Sequence, residues 1–418
     1  MAIREEEIKE AENLYKKLRN SCSKFCDAGE MSMIEKAYQL LREVSEKPDD
    51  AVLLPNVSHS LRIALAATDD IGLGSTSIVS ALLHDVVTKT DISLPEIKAD
   101  FGDTAANLIE EYSKLSNLNT KRIEVNSVRF RNLFMTIVDD IRVILLKLAH
   151  RLHDMRTILD LPEEKQEIFV SEIEHIYLPI AHRLGLYKVK TELEERLMQY
   201  KHPRVFEDIS NKITETETKR KLFISEFIEP ISRELIAQGF DFEVKGRPKS
   251  IHSIWEKMKR QGVMFEEVYD LFAIRIISNS KPKKEKTDCW RIYSIVTNIY
   301  TPNPKRLRDW ISTPKASGYE SLHTTVQGPN KKWVEVQIRS RRMDEDAEKG
   351  QAAHWRYKGS GSEDDAQSWL EQVRDIMENP DQLKFDQDQH KQKGLVPEKI
   401  FVFTPNGDLK ELPRGSTI

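Results

Sequence analysis

At 418 residues, 39% of them hydrophobic, the chain is long enough for two or three domains with real cores. Lysine and arginine number 64 against 68 for aspartate and glutamate, a formal net charge of -4, which argues against a general nucleic-acid coat or a membrane-surface protein. No apolar run approaches the ~18 residues a membrane span needs, and Cys22, Cys26 and Cys289 are too sparse for a disulfide framework or a thiolate metal site. The N-terminal MAIREEEIKEAENLYKKL is acidic and amphipathic, without the basic region and cleavage site of a secretory signal, so the expected compartment is the cytoplasm. Residues 1–200 repeat the helical pattern in segments such as SMIEKAYQLLREV and TSIVSALLHDVV, with short breaks at Gly, Pro and Asp. A charged segment from Val205 to Ile236 reads as a connecting helix, giving a link over 201–240. After Gly239 the pattern turns to strands: LFAIRII, HTTVQG and WVEVQIRS alternate, with Gly328, Pro329 and Asn330 as the turn between the last two. Residues 361–396 read as a helix and a polar link, and 397–418 open a further strand-turn-strand unit too short to bury a core alone.

The stretch VKGRPKSIHSIWEKM, Val244–Met258, concentrates cations. Between Lys245 and Arg260 stand Lys245, Arg247, Lys249, Lys257, Lys259 and Arg260 against the single acid Glu256. Gly246 and Pro248 are expected to end a strand and start a helix, along which Lys249, Ser253 and Lys257 recur every four residues. A helix start with such a row suits polyphosphate, although a solvated basic face would have the same pattern. Asp270 opens the strand DLFAIRII, and period two places Glu335, Gln337 and Arg339 on one face of VEVQIRS. Two carboxylates beside a cationic row suit Mg²⁺ on a triphosphate; the competing reading is a surface ladder pair of Glu335 with Arg339. Lys305, Arg306, Arg308 and Asp309, then Lys315, Gly318, Tyr319, Ser321 and His323, add a second polar cluster. Within it, Tyr319 offers a face on which a base can stack.

In this order GRPKSIHSIWEKM, YDLFAIRII, GYESLHTTV, VEVQIRS and AEKGQAAHWRYK resemble the synthetase domain of the long RelA/SpoT homologues of the bacterial stringent response, over about residues 240–358. The resemblance implies that the 3′-hydroxyl of GDP or GTP attacks the β-phosphorus of ATP to give AMP and (p)ppGpp. It implies that Arg247, Lys249, Ser253 and Lys257 bind ATP, and that Asp270 and Glu335 hold Mg²⁺, with Glu335 the metal's second ligand or the base for the attacking hydroxyl. Arg308, Lys315, Tyr319 and His323 would hold the GDP or GTP acceptor. Ser317 departs from an Asn common in the family and bears on acceptor preference.

The first half resembles the HD-type hydrolase domain of the same family, through His59, the pair His84 and Asp85, and KLAHRLHDMRT. That domain removes the 3′-pyrophosphate of ppGpp with a metal, Mn²⁺ where the site is competent. Here His150 stands in place of an Asp, Thr88 and Lys89 replace the two acids that position the attacking water, and DDAVLLPNVSH lacks the basic segment that grips the nucleotide. These departures predict a hydrolase that does not turn over, with His84 and Asp85 kept as helix-packing residues. Against this, the basic loop Arg306, Leu307, Arg308, Asp309 is the version that accompanies working hydrolases in the family. The expected fold is therefore multidomain α and α+β: an all-helical HD-type domain over 1–200, then a mixed-sheet, nucleotidyltransferase-like synthetase domain over 241–360. The expected function is a GTP pyrophosphokinase with a silent hydrolase domain. The alternatives are a bifunctional synthetase and hydrolase, and a non-catalytic nucleotide-binding module. The resemblance further implies that 397–418 opens a TGS domain, that a region beyond Ile418 contacts the ribosome and uncharged tRNA, and that no membrane is involved.

Overall fold

The computed structural model describes residues 2–45, 55–117, 138–268, 271–315, 318–349, 370, 373, 399–403 and 409–413. The chain divides into two units, Met1–Lys201 with Glu348–Pro380, and His202–Ala347 with Asp381–Ile418. The helical first half and the mixed-sheet second half expected from the periodicity are both present.

In the first unit the described helices are α1 (Ala2–Cys22), α2 (Ala28–Ser45), α3 (Val57–Leu65), α4 (Ser75–Leu83), α5 (Val86–Lys89), α6 (Leu94–Phe101), α7 (Asp103–Ser116), α8 (Ile141–Arg156), α9 (Glu163–Glu172), α10 (Leu178–Arg183) and α11 (Tyr187–Lys201). Helix α2 shows why they form. Ile34, Ala37, Tyr38, Leu41 and Val44 are its buried stripe at helical spacing, and Asp27 and Glu30 cap its start reciprocally at 2.8 and 3.0 Å. Helix α8 is different, being buried on nearly every side, which marks the centre of a helical bundle. Its polar residues are therefore paired: Arg151 reaches Glu172 at 2.6 Å and Asp154 at 2.7 Å, and Lys147 donates to Ser116 Oγ at 2.7 Å. Leu370 and Val373 pack into this same core.

The second unit begins with α12 (Pro203–Glu215) and α13 (Glu217–Ala237). The segment read as a connector is thus two helices, and α13 is no mere link. It buries Phe227, Ile231 and Leu235 in the same core as the sheet. The sheet contains β1 (Phe242–Pro248), β2 (Phe272–Ser278), β3 (Thr301–Pro302), β4 (Arg308–Asp309), β5 (Leu322–Gln327) and β6 (Trp333–Ser340). Its order is β1-β2-β6-β5-β3, with β4 also on β5; β2 and β6 run parallel and the other pairs antiparallel. Helices α14 (Ile251–Gln261), α15 (Glu285–Ile299) and α16 (Arg341–Lys349) complete the unit.

Gly246 and Pro248 do not break β1, which runs through both. An edge strand tolerates proline, whose missing N–H need not pair. Glycine is needed because a Cβ at 246 would meet Ile224 of α13 at 2.9 Å, and one at 328 would meet Phe227 at 2.8 Å, so α13 lies tight on the sheet through two glycines. Strands β7 (Lys399–Phe403) and β8 (Leu409–Pro413) pair as an antiparallel ribbon. Cys22, Cys26 and Cys289 form no disulfide. No helix among the described residues is long and apolar enough to cross a membrane.

Candidate functional site

Register aligns the second unit's candidates. Arg247 pairs with Ala273, Ala273 with Glu335 and Glu335 with Thr325, so these four stand in one line across β1, β2, β6 and β5. Directly paired residues share a face, and strands lie about 4.8 Å apart, which puts the Arg247 and Glu335 backbones roughly 10 Å from each other. Asp270 and Ser317 lie outside the described residues.

Glu335 is the hub of this face. Its carboxylate accepts from Gln337 Nε2 at 2.9 Å and lies 3.4 Å from Lys249 Nζ and 3.6 Å from His323 Nδ1. Burial alone would raise the Glu335 carboxyl, but the Lys249 ammonium, the Gln337 amide and the His323 ring outweigh it and hold the group below its ordinary value. The surface ladder with Arg339 does not form: Arg339 is buried and ion-pairs with Asp344 at 2.6 Å, which also takes Arg275 at 3.1 Å. Ser250 caps α14 by accepting from Ser253 N at 3.2 Å, so Lys249 immediately precedes the cap. Lys257 is pushed down to about 8 by burial, with the neighbouring Lys249, Arg306 and Arg260 adding to the effect. Lys249, Lys257 and Arg306 therefore share one field, which favours an anion.

Beside it, Tyr319 Oη and His323 Nε2 are 2.8 Å apart. Trp310 meets both edge-on, at 5.8 Å from Tyr319 and 4.6 Å from His323. The Lys315 ammonium sits 4.1 Å from the Trp310 centroid and 5.2 Å from that of Tyr319. The turn carrying Tyr319 closes through Gly318 N to Lys315 O at 2.8 Å, with Gly318 at φ 74. Arg308 is in register with His323, and its guanidinium donates to the Lys305 and Leu307 carbonyls. Period two had placed Gln337 on the face of Glu335, whereas Trp310 was not singled out from the sequence, because an isolated Trp carries no spacing signal.

In the first unit, His59 lies on α3, whose cap Asn56 accepts from His59 N at 2.9 Å. His84 and Asp85 occupy the break between α4 and α5 rather than a continuous helix, and His150 is on α8. One nitrogen from each of His59, His84 and His150 lies within 4.8 Å of the others, a set able to hold a metal ion. His84 is 3% exposed, its Nδ1 is 2.7 Å from the Ala81 carbonyl, and its buried Nε2 makes no hydrogen bond among the described residues. A buried ring nitrogen of this kind is compatible with a metal ligand as well as with the expected role of His84 and Asp85 in helix packing. Burial lowers all three imidazoles, His59 to about 4, so they are neutral at pH 7 as ligands must be. Asp85 Oδ1 lies 3.4 Å from His84 Nε2, while its Oδ2 takes the Lys89 ammonium at 2.5 Å. Thr88 Oγ1 donates back to the Asp85 carbonyl at 3.1 Å.

His153 and Asp154, beside His150 on α8, were missed from the sequence: His153 Nε2 is 3.1 Å from His59 Nδ1, and Asp154 Oδ1 is 3.5 Å from His150 Nε2. Next to His59 and His153 opens a cavity of about 810 Å³, lined also by Arg42, Asn56, Arg62 and Thr157. Glu7, Glu10, Glu12 and Asp160 line it too, and Arg62 is paired with Glu10.

Residues 246–362 match the region found in RelA/SpoT proteins, and residues 37–187 match an HD domain. The guanosine-3′,5′-bis(diphosphate) 3′-pyrophosphohydrolase of Aquifex aeolicus is 36% identical over 390 residues, 92% of this chain and 54% of that protein. The bifunctional (p)ppGpp synthase/hydrolase SpoT of Escherichia coli is 34% identical over 410 residues, 97% of this chain and 57% of that one. A GTP pyrophosphokinase of Myxococcus xanthus is 35% identical over 398 residues, 93% of this chain and 51% of that one. The chain spans about half the length of the curated relatives it matches.

Proposed function

Because this chain belongs to the RelA/SpoT family, with an HD domain ahead of the RelA/SpoT region, we propose that it is an enzyme of (p)ppGpp turnover working in both directions. Synthesis belongs to the second unit and hydrolysis to the first. In synthesis the acceptor 3′-oxygen of GDP or GTP bonds to the β-phosphorus of ATP. The bond from that phosphorus to the oxygen bridging the α-phosphate breaks, AMP leaves, and the hydroxyl proton passes to a base or to solvent. Arg247, Lys249, Ser253 and Lys257 bind the ATP phosphates. Tyr319, with Trp310 and Lys315 around it, holds guanine, and His323 and Arg308 lie towards the acceptor. Glu335, together with Asp270, holds Mg²⁺, a hard ion suited to carboxylate oxygen, which when bound neutralises charge on the triphosphate. This chemistry requires positioning and charge rather than a nucleophilic side chain, and a face with one half-buried carboxylate among cations supports it.

The observation that supports the hydrolytic half is the convergence of His59, His84 and His150, with ligand atoms within 4.8 Å of one another and Asp85 Oδ1 3.4 Å from His84 Nε2. Those three residues and Asp85 would hold a divalent ion, which when bound lowers the pKa of a water. The cavity beside His59, with Arg42 and Arg62, takes the nucleotide. A second reading, synthesis with a silent hydrolase, draws on one contact: the Lys89 ammonium occupies Asp85 where an acid would prepare the water. Two incubations decide. With ATP, GDP and Mg²⁺ the expected products are AMP and ppGpp, and their absence would leave a non-catalytic nucleotide-binding module. With ppGpp and a divalent ion the expected products are GDP and pyrophosphate; an inert mixture establishes the silent hydrolase instead.

A further inference from the structure

In the histidine centre, each ring already has its Nδ1 engaged by the protein. His84 Nδ1 faces the Ala81 carbonyl at 2.7 Å and so carries the proton, His59 Nδ1 meets His153 Nε2 at 3.1 Å, and His150 Nδ1 bonds the Tyr112 hydroxyl. Outer partners of this kind fix the tautomer and orientation of metal-ligating imidazoles. The second nitrogens of His84 and His150 lie 3.4 and 3.5 Å from carboxylate oxygens of Asp85 and Asp154, and that of His84 is buried without a hydrogen bond among the described residues. A tetrahedral shell with bonds of about 2.1 Å sets its nitrogens about 3.4 Å apart. The present spacing is within 4.8 Å.

The donor set decides which ion. Imidazole nitrogen suits Zn²⁺ and Co²⁺, whereas Mn²⁺ and Mg²⁺ favour carboxylate, carbonyl and water oxygen. Asp85, the carboxylate next to His84, shares its charge with Lys89 at 2.5 Å, which weakens its pull on an oxygen-preferring ion. We propose that this centre is a nitrogen-dominated site that selects Zn²⁺ or Co²⁺ over Mn²⁺, and that His150 is the residue that sets the selection. The inference rests on the reading of the first unit as a metal centre.

The full chain, stripped with a chelator and titrated with Co²⁺ alone, is expected to develop the intense visible absorption of a tetrahedral Co²⁺ centre, to lose it to stoichiometric Zn²⁺, and to keep it in equimolar Mn²⁺. Any nitrogen or oxygen site favours Zn²⁺ over Mn²⁺ to some degree, so the deciding quantity is the ratio of the two affinities by calorimetry. His150→Asp, which exchanges nitrogen for oxygen at one position, is expected to lower that ratio about 10- to 100-fold. A ratio unchanged in a folded H150D protein, or a weak octahedral Co²⁺ spectrum in the parent, overturns the proposal while leaving a metal centre in place. Failure of the parent to bind any of the three ions overturns both. The parent's Co²⁺ spectrum needs no variant, so the proposal remains testable if H150D does not fold.

Discussion

Replacing Glu335 by glutamine removes one charge from the centre of the face proposed for synthesis while keeping its shape. The carboxylate lies 3.4 Å from Lys249 Nζ, with the two side chains 24% and 26% exposed. At an effective dielectric constant of about 20 the raw attraction at that distance is about 5 kcal/mol, much of it offset by the cost of desolvating both ions. Glutamine retains an oxygen for the Gln337 amide, so the expected loss of folding stability is about 1 kcal/mol, and the melting temperature should shift by only a few degrees. Catalysis should fall far more. A side chain that holds the metal or takes the hydroxyl proton contributes roughly 100- to 10,000-fold to the rate. AMP release from ATP and GDP, followed by chromatography at saturating substrates, measures it directly. Restoration of rate at raised Mg²⁺ identifies a metal ligand, whereas loss of the acid limb of the pH profile identifies a base. A kcat within about threefold of the parent, in a folded protein, would refute the role of this face.

Tyr319→Ala should weaken GDP binding by about 1–3 kcal/mol, the usual worth of an aromatic stack on a base, and leave ATP binding unchanged; equal losses in equilibrium titrations with both nucleotides would remove the guanine assignment. Lys257, depressed to about 8, is charged below that pH and neutral above it, so the ATP dissociation constant should rise as pH climbs from about 7 to about 9. Lys257→Arg, charged throughout, should flatten that rise, and identical slopes for the two proteins would show that Lys257 does not meet the phosphates. Arg339→Met should destabilise the second unit by about 3 kcal/mol in chemical denaturation, because buried Asp344 would keep only Arg275 at 3.1 Å. A change below about 1 kcal/mol would mean that Arg275 suffices.

The order of elements, the cationic row around Lys249 and the family resemblance were legible along the chain, because hydrophobic periodicity and motif order are local properties of the sequence. The course of β1 through Gly246 and Pro248 was not, since both residues read as breakers until α13 is seen pressed against the sheet. Nor was the part played by Trp310, which depends on its rings meeting Tyr319 and His323 across a turn.

In the first unit the contrast is sharper. Along the chain, His150, Thr88 and Lys89 read as departures from the HD pattern, and His84 and Asp85 as helix-packing residues. Folding brings residues from three separate segments to one point, with His153 and Asp154 beside them and a buried nitrogen that makes no hydrogen bond among the described residues. Sequence order records which side chains are present. Their convergence, and therefore whether a donor atom faces a protein partner or an ion, depends on the packing of α3, α4 and α8, a long-range property that spacing along the chain does not encode.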